Sequence, residues 1–408
     1  MRRYVASIFV SLLCVGVRLA GAQESSSGWQ FMQDGVVFAV FNHQGGPRGT
    51  DEFCAPNWWM GMESREVGSA NLRFNNMFSL DALTSGKSGY AEIFQVGETL
   101  DGRPLVDRQH PHDVVMQLAA VWRWPIGENT GFTLAGGPVG EPALGPIAFM
   151  HRASIAEYPF ATLSHHVFDS SHIAFGVVTA AVDHGPWNLE GSIFNGREPD
   201  ENRWDFDFGA LDSASTRLWY QPSEEWQFQG SVGRLVNPEE LEPGIVWRTT
   251  ASAGWLRQAD ENFSAVTVGY GVNATNHGDR HAMFAEGTRH HGANSIFTRV
   301  EFLQVETSVL LGGADNGAHD EGRQDALGAV TIGGVRDVTR WRGFEGGIGA
   351  AATFYAVPQA LQLSHGRRPV SFQVYFRLRP PAGPAGRMWN TYMAQPMVGH
   401  TMDHQMHH

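Results

Sequence analysis

The chain has 408 residues, with 29 Lys+Arg against 42 Asp+Glu, and the resulting net charge of -13 excludes nucleic acid as a partner. Charged residues make up only 17%, while glycine numbers 48, phenylalanine 25 and tryptophan 13, a mixture foreign to a soluble enzyme and usual for a large β structure with tight turns. Two cysteines, Cys14 and Cys54, are too few for a disulfide framework.

Met1 to Ala22 reads as a secretory leader: Arg2 and Arg3 supply the basic start, Tyr4 to Leu19 is apolar apart from Arg18, and Ala20-Gly21-Ala22 is an A-x-A cleavage site. The leader holds three arginines and no acid, so the mature chain from Gln23 is more acidic still and keeps Cys54 alone. No later run is long enough for a spanning helix, so a membrane-resident form must be a closed barrel.

Strict alternation begins at Asn71. Leu72, Phe74, Phe78, Leu80 and Ala82 fall on one face and Arg73, Asn75, Ser79 and Asp81 on the other, which predicts a strand to Ala82. A polar turn-rich segment follows, GETLDGRPLVDRQHPHD from Gly97 to Asp113. It crowds Arg103, Asp107, Arg108, His110, His112 and Asp113 beside Pro104 and Pro111, which restrict the backbone. Val114, Met116, Leu118, Ala120, Trp122 and Trp124 then predict one face of the next strand, ending in girdle tryptophans.

His151-Arg152 and the run His165 to His172 form the second polar concentration. Imidazole and carboxylate suit zinc, copper or nickel, so His151, His165, His166 and His172 could supply a half-site completed by His110, His112 and Asp113. Extended backbone would point His165 and His166 to opposite sides, so both reach one site only through a turn. A hydrolase reading takes Ser170 as nucleophile with His172 and Asp169, although the His-x-Ser order of outer-membrane lipases is reversed here.

Downstream, alternation recurs in Ile173 to Ala181, in Trp187 to Ile193, in Trp226 to Val232 and in Val266 to Val272. Ile296 to Phe302 puts Arg299 and Glu301 opposite its apolar face, and Val370 to Leu378 does the same with Gln373 and Arg377. Such charges need water or one another. Long loops are expected at Gly45 to Pro56, Gly137 to Pro146, Glu198 to Asp205, Asn276 to Gly292 and Gly312 to Arg323. After Pro380 the tail carries Met388, Met393, Met397, His400, Met402, His404, Met406, His407 and His408, a thioether and imidazole set suited to copper.

These elements predict an all-β fold, an antiparallel transmembrane β-barrel of roughly 12 to 16 strands with long loops. The divisions are a signal peptide over 1–22, the barrel over 23–379 and a flexible Met/His-rich tail over 380–408. The segments GETLDGRPLVDRQHPHD, GEPALGPIAFMHR and LSHHVFDSSHIAFGVVT resemble a family of bacterial outer-membrane, porin-like proteins, some of them similar to products of metal-resistance clusters. The resemblance covers most of the mature chain. Its motifs carry no assigned chemistry, so it implies location in a Gram-negative outer membrane more than function.

The expected function is therefore passage or binding of a small solute or metal ion, copper first and zinc next, with outer-membrane lipid as the surroundings and Arg73, Asp81, Arg103, Asp107, Arg108, Arg299 and Glu301 as polar lumen groups. The rival expectations are a barrel-borne lipid-ester hydrolase and a non-conducting metal-buffering surface protein. No oligomeric state follows from the sequence. Intact-mass measurement of the protein extracted from outer membranes is expected to give a chain starting at Gln23; a chain that keeps Met1 to Ala22 would overturn the leader, and recovery as a soluble periplasmic protein would overturn the barrel.

Overall fold

The computed structural model describes residues 28–241, 243–259, 261–276, 278–312, 323–382 and 386–396. The alternating stretches form strands β1 (Gln30–His43), β2 (Asp51–Cys54), β3 (Asn57–Val67), β4 (Ala70–Phe78), β7 (Val115–Gly127), β8 (Thr130–Gly140), β9 (Ala174–His184), β10 (Trp187–Phe194), β11 (Ser213–Tyr220), β12 (Trp226–Val236), β13 (Ile245–Ala259), β14 (Asn262–Thr275), β15 (Gly278–His291), β16 (Asn294–Glu306), β17 (Gln324–Trp341), β18 (Phe344–Ala356) and β19 (Val370–Arg379). A separate hairpin, β5 (Tyr90–Leu100) and β6 (Arg103–Gln109), sits between β4 and β7.

β2 and β3 are two halves of one stave along β1, interrupted where Pro56 lacks the N–H that the ladder needs. Across the break, Phe38 N donates to the Pro56 carbonyl at 3.0 Å. Counted so, a closed antiparallel wall of 16 staves runs in sequence order, and β1 seals it on β19 from Val37 opposite Leu378 to His43 opposite Phe372. Alternate hairpins fall on one rim and are tight, with Gly68, Gly185 and Gly343 at positive φ. The opposite rim carries the long connections.

The wall is apolar outside and carries its charged groups inside, among buried apolar residues such as Phe38 and Phe297. Ile296 on β16 is 65% exposed, whereas Arg299 and Glu301 on its other face are 1% and 3% exposed. That polarity suits hydrocarbon around the barrel and a polar interior. Beside the tight turns, Trp122 stacks on Trp124 at 4.9 Å and Trp187 on Tyr220 at 4.2 Å, an aromatic girdle.

Inside, the connection from β8 to β9 folds into the lumen, and every residue from 142 to 171 is buried. An irregular loop there has carbonyls that neither sheet nor bulk water can satisfy. Wall arginines take them: Arg217 reaches the Gly145 carbonyl at 3.2 Å, Arg299 that of Ala161 at 2.7 Å, Arg248 that of His166 at 2.6 Å and Arg379 that of Ala156 at 2.7 Å. Arg377 pairs with the loop's Glu157.

Several expectations are corrected. β4 ends at Phe78; Leu80 and Ala82 leave the sheet, and Asp81 opens a one-turn helix, α1 (Asp81–Thr84). A bulge opposite Met77 and Phe78 turns Met116 inward, so Val114 to Trp124 is not one face. Most of the loop expected over Asn276 to Gly292 is β15, whose polarity comes from inward residues such as Arg280, Glu286 and His290.

The expected flexible tail divides. Residues 386–396 return into the lumen, where Met388, Tyr392, Met393 and Ala394 are buried, Arg73 holds the Met393 carbonyl at 2.6 Å and Arg387 pairs with Glu345 at 2.6 Å. Burial of those apolar groups makes this stretch a packed second insert rather than a free arm. Met397, His400, Met402, His404, Met406, His407 and His408 lie outside the described residues, as do the expected leader over 1–22 and most of the loop expected over Gly312 to Arg323.

Burial alone would raise the Glu157 carboxyl, but Arg377 and Arg379 outweigh it and hold its pKa at about 2, below the ordinary 4.5. A depressed carboxyl contributes stability that is complete above pH 4.5 and lost as pH falls through about 2. Glu157→Gln is expected to cost about 3 kcal/mol at neutral pH and to flatten the acid limb of the melting temperature against pH. An unchanged acid limb would refute the clamp.

Candidate metal centre

Two inserted segments bring imidazoles together near the rim that carries the long connections. After β6, the segment His110-Pro111-His112 runs towards β7, and Val114 N is fixed by the Arg203 carbonyl at 2.9 Å from the connection between β10 and β11. From the other side comes a one-turn helix, α2 (His165–Phe168), followed by a 3-10 turn at Ser170–His172. That turn resolves the conflict expected for an extended chain, because residues one apart on a helix are about 100° apart and can both face inward.

The rings then form a file. Ring centres are 5.8 Å apart for His110 and His166, 5.4 Å for His166 and His165, 5.4 Å for His165 and His172, and 5.7 Å for His172 and His112. Oxygen ligands orient them: Asp81 Oδ2 lies 2.6 Å from His112 Nδ1, Asp169 Oδ1 2.8 Å from His165 Nδ1, and the Asp169 carbonyl 2.7 Å from His172 Nδ1. His166 Nδ1 faces Glu239 at 3.1 Å and Glu198 at 3.2 Å.

At one end of the file, one donor atom each from His110, His166 and Glu198 lies within 4.8 Å of the others. The buried Glu198 carboxylate is ion-paired with His166, Oε1 lying 3.2 Å from Nδ1, and also faces the Glu98 carboxyl. Glu98 Oε1, 3.3 Å from His110 Nδ1, is likewise buried and outside hydrogen-bond geometry. Imidazole nitrogen and carboxylate oxygen so close together form a donor set that a divalent cation can use.

The electrostatics agree. Burial pushes His110 well below the ordinary imidazole range, with Arg203 adding to the effect, and burial with His165 and His112 nearby takes His172 down to about 3. Both therefore offer lone pairs at neutral pH. Burial also lowers His166, but Glu198 and Glu239 outweigh it and hold the ring well above its usual range. An arriving dication would displace that proton and take over its neutralising role.

Other expected site residues go elsewhere. Asp113 pairs with Arg203 at 3.3 Å, His151 lies edge-on to Trp58 at 4.8 Å, and neither joins the file. Ser170 Oγ accepts from Arg248 at 3.1 Å, and Asp169 is occupied by His165 and Arg152, so Ser170, His172 and Asp169 do not form a catalytic relay. Asp107 pairs with Arg48 at 2.8 Å and His365 at 3.0 Å, Arg108 with Glu52 at 3.0 Å, and Arg103 is exposed at the hairpin turn. Arg73, Arg299 and Glu301 hold inserted backbone, Glu301 accepting from Ser164 N at 3.3 Å. Sequence reasoning missed Glu198, Glu239 and Arg203, whose proximity to the histidines is purely tertiary; only their placement in loop-like sequence hinted at a role.

No family model matches the chain, and no curated protein is significantly similar to it. Among solved structures, a high-pH structure of Pseudomonas putida OprB is similar with 11% identity over 86% of this chain and 94% of that one, at a TM-score of 0.54. An anion-selective porin from Comamonas acidovorans is similar with 9% identity over 86% of this chain and 99% of that one, at a TM-score of 0.51. At such identities the likeness shows the barrel fold.

Arg203 is the cation between Glu98 and Asp113, both buried. Arg203→Met is expected to destabilise the protein by about 3 to 5 kcal/mol by leaving two buried carboxylates without it, and adding Glu98→Gln should restore part of the loss. Thermal denaturation of both variants in detergent checks this; equal stability of Arg203→Met and wild type would contradict the assignment.

Proposed function

We propose that the protein is an outer-membrane barrel that binds a small transition-metal ion in its lumen and passes it across, with copper the leading ion and zinc the next. The observation that carries this reading is the convergence of His110, His166 and Glu198 inside a lumen otherwise filled by buried chain. A filled lumen favours an ion over a bulky organic solute. The acidic chain attracts cations, and an imidazole and carboxylate donor set binds Cu(II) ahead of Zn(II) in the Irving–Williams order. The sequence resemblance to proteins of metal-resistance clusters points the same way.

A second reading has its own support. Unbroken burial from 142 to 171 suits a barrel that holds metal without conducting, a buffer at the cell surface. Planar-bilayer conductance and metal titration of one reconstituted preparation separate the two. The passage reading expects a small cation conductance that Cu(II) or Zn(II) reduces, with His110→Ala/His166→Ala weakening metal affinity by about 10- to 100-fold or more and removing the block. Metal binding without conductance leaves the buffer; no metal binding in wild type would overturn both.

A further inference from the structure

Of the thirteen methionines in the chain, six, Met60, Met62, Met77, Met116, Met150 and Met388, belong to one buried lumen cluster of twelve residues that also holds Phe149 and Phe175, and Met32 packs against it. The wall places most of them in register. Met32 on β1 lies opposite Met62 on β3, Met60 on β3 lies opposite Met77 on β4, and the bulge in β7 turns Met116 in beside them. Directly opposite residues have Cβ atoms about 5 Å apart, so the two thioethers of each facing pair can reach one ion. Met150 comes from the inserted loop and Met388 from the C-terminal insert, so three separate parts of the chain converge.

Beside this cluster stands His151. It is 8% exposed, its Nδ1 is buried and has no hydrogen-bond partner among the described residues, and its ring is edge-on to Trp58 at 4.8 Å. Trp58 precedes Met60 by two on the inward face of β3 and packs against the cluster. Asn390 N donates to the His151 carbonyl at 2.8 Å, bringing the segment that carries Met388 to the same place. A methionine patch that only filled space would not need an unpaired imidazole nitrogen at its edge.

We infer that Met60, Met62 and their neighbouring thioethers, with His151, form a soft-metal site for a monovalent d10 ion of the Cu(I) class, with the Trp58 ring against it. Thioether and imidazole are the donors that such an ion selects over carboxylate, and an indole face favours a bound cation. The site is separate from the imidazole file, from which Phe149 parts it: that ring belongs to the methionine cluster and lies edge-on to His165 at 5.8 Å. It therefore stands or falls independently of the proposed function.

Ag(I), which is redox-inert, is the probe, titrated into the full chain in detergent, with Zn(II) titrated in parallel. Met60→Leu/Met62→Leu conserves volume and should leave the barrel folded. The expected result is that this variant, and His151→Phe separately, binds one Ag(I) equivalent fewer than wild type or binds it at least tenfold more weakly. Zn(II) binding should be unchanged, and the Ag(I)-induced fluorescence change should be absent in Trp58→Phe. Ag(I) binding equal to wild type in both variants overturns the inference, since any binding by residues 397–408 is common to all. Ag(I) binding that is lost only with His110→Ala would overturn it as well, by assigning the ion to the imidazole file.

Discussion

The structure depends on one electrostatic constraint: thirty consecutive residues without strand structure are buried inside a barrel, and their carbonyls must find donors. Guanidinium groups on the inner wall meet it. A guanidinium presents five donors in a rigid fork, so one side chain can hold a carbonyl and a carboxylate together. Arg217 does this with the Gly145 carbonyl, Glu141 and Glu190, and Arg152 of the loop reciprocates on Asp169 and on Glu286 of the wall. Loop and wall are thus locked by polar contacts, set among buried apolar clusters such as that of Phe94, Phe168 and Phe284, while the outer face of the wall is apolar.

This lock makes a metal centre possible. A file of imidazoles on free loops would lose too much conformational freedom to meet on an ion, whereas here His112, His165, His166 and His172 are each already aimed by an oxygen on Nδ1. Asp169 shows the economy of the arrangement, since it orients His165, binds Arg152 and accepts from Phe149 N at once. Soft and borderline donors occupy neighbouring volumes, the methionines against β1, β3 and β4 and the histidines beyond Phe149.

Period-two alternation made the barrel legible, because strands with one face in hydrocarbon and one in a polar lumen repeat that pattern around the wall. It failed where local geometry breaks the period, as at the bulge that turns Met116 inward, or where inward charge imitates a loop, as in β15. The histidines stood out because their residue types are rare and clustered. Glu198, Glu239 and Arg203 did not, since ordinary surface-like residues become site residues only through tertiary contact. The wall methionines escaped for another reason: spaced two apart in strands, they read as ordinary apolar positions, and only closure of β1 against β3 and β3 against β4 gathers them.

The central claim is that the lumen is built to hold a metal ion between its two inserted histidine segments. Anomalous diffraction at the copper edge, from crystals of the protein loaded with one equivalent of Cu(II), tests it most directly. The account predicts a peak among His110, His166 and Glu198, with imidazole nitrogens at about 2.0 to 2.1 Å. Peaks confined to the barrel exterior, or none in the lumen, would contradict it.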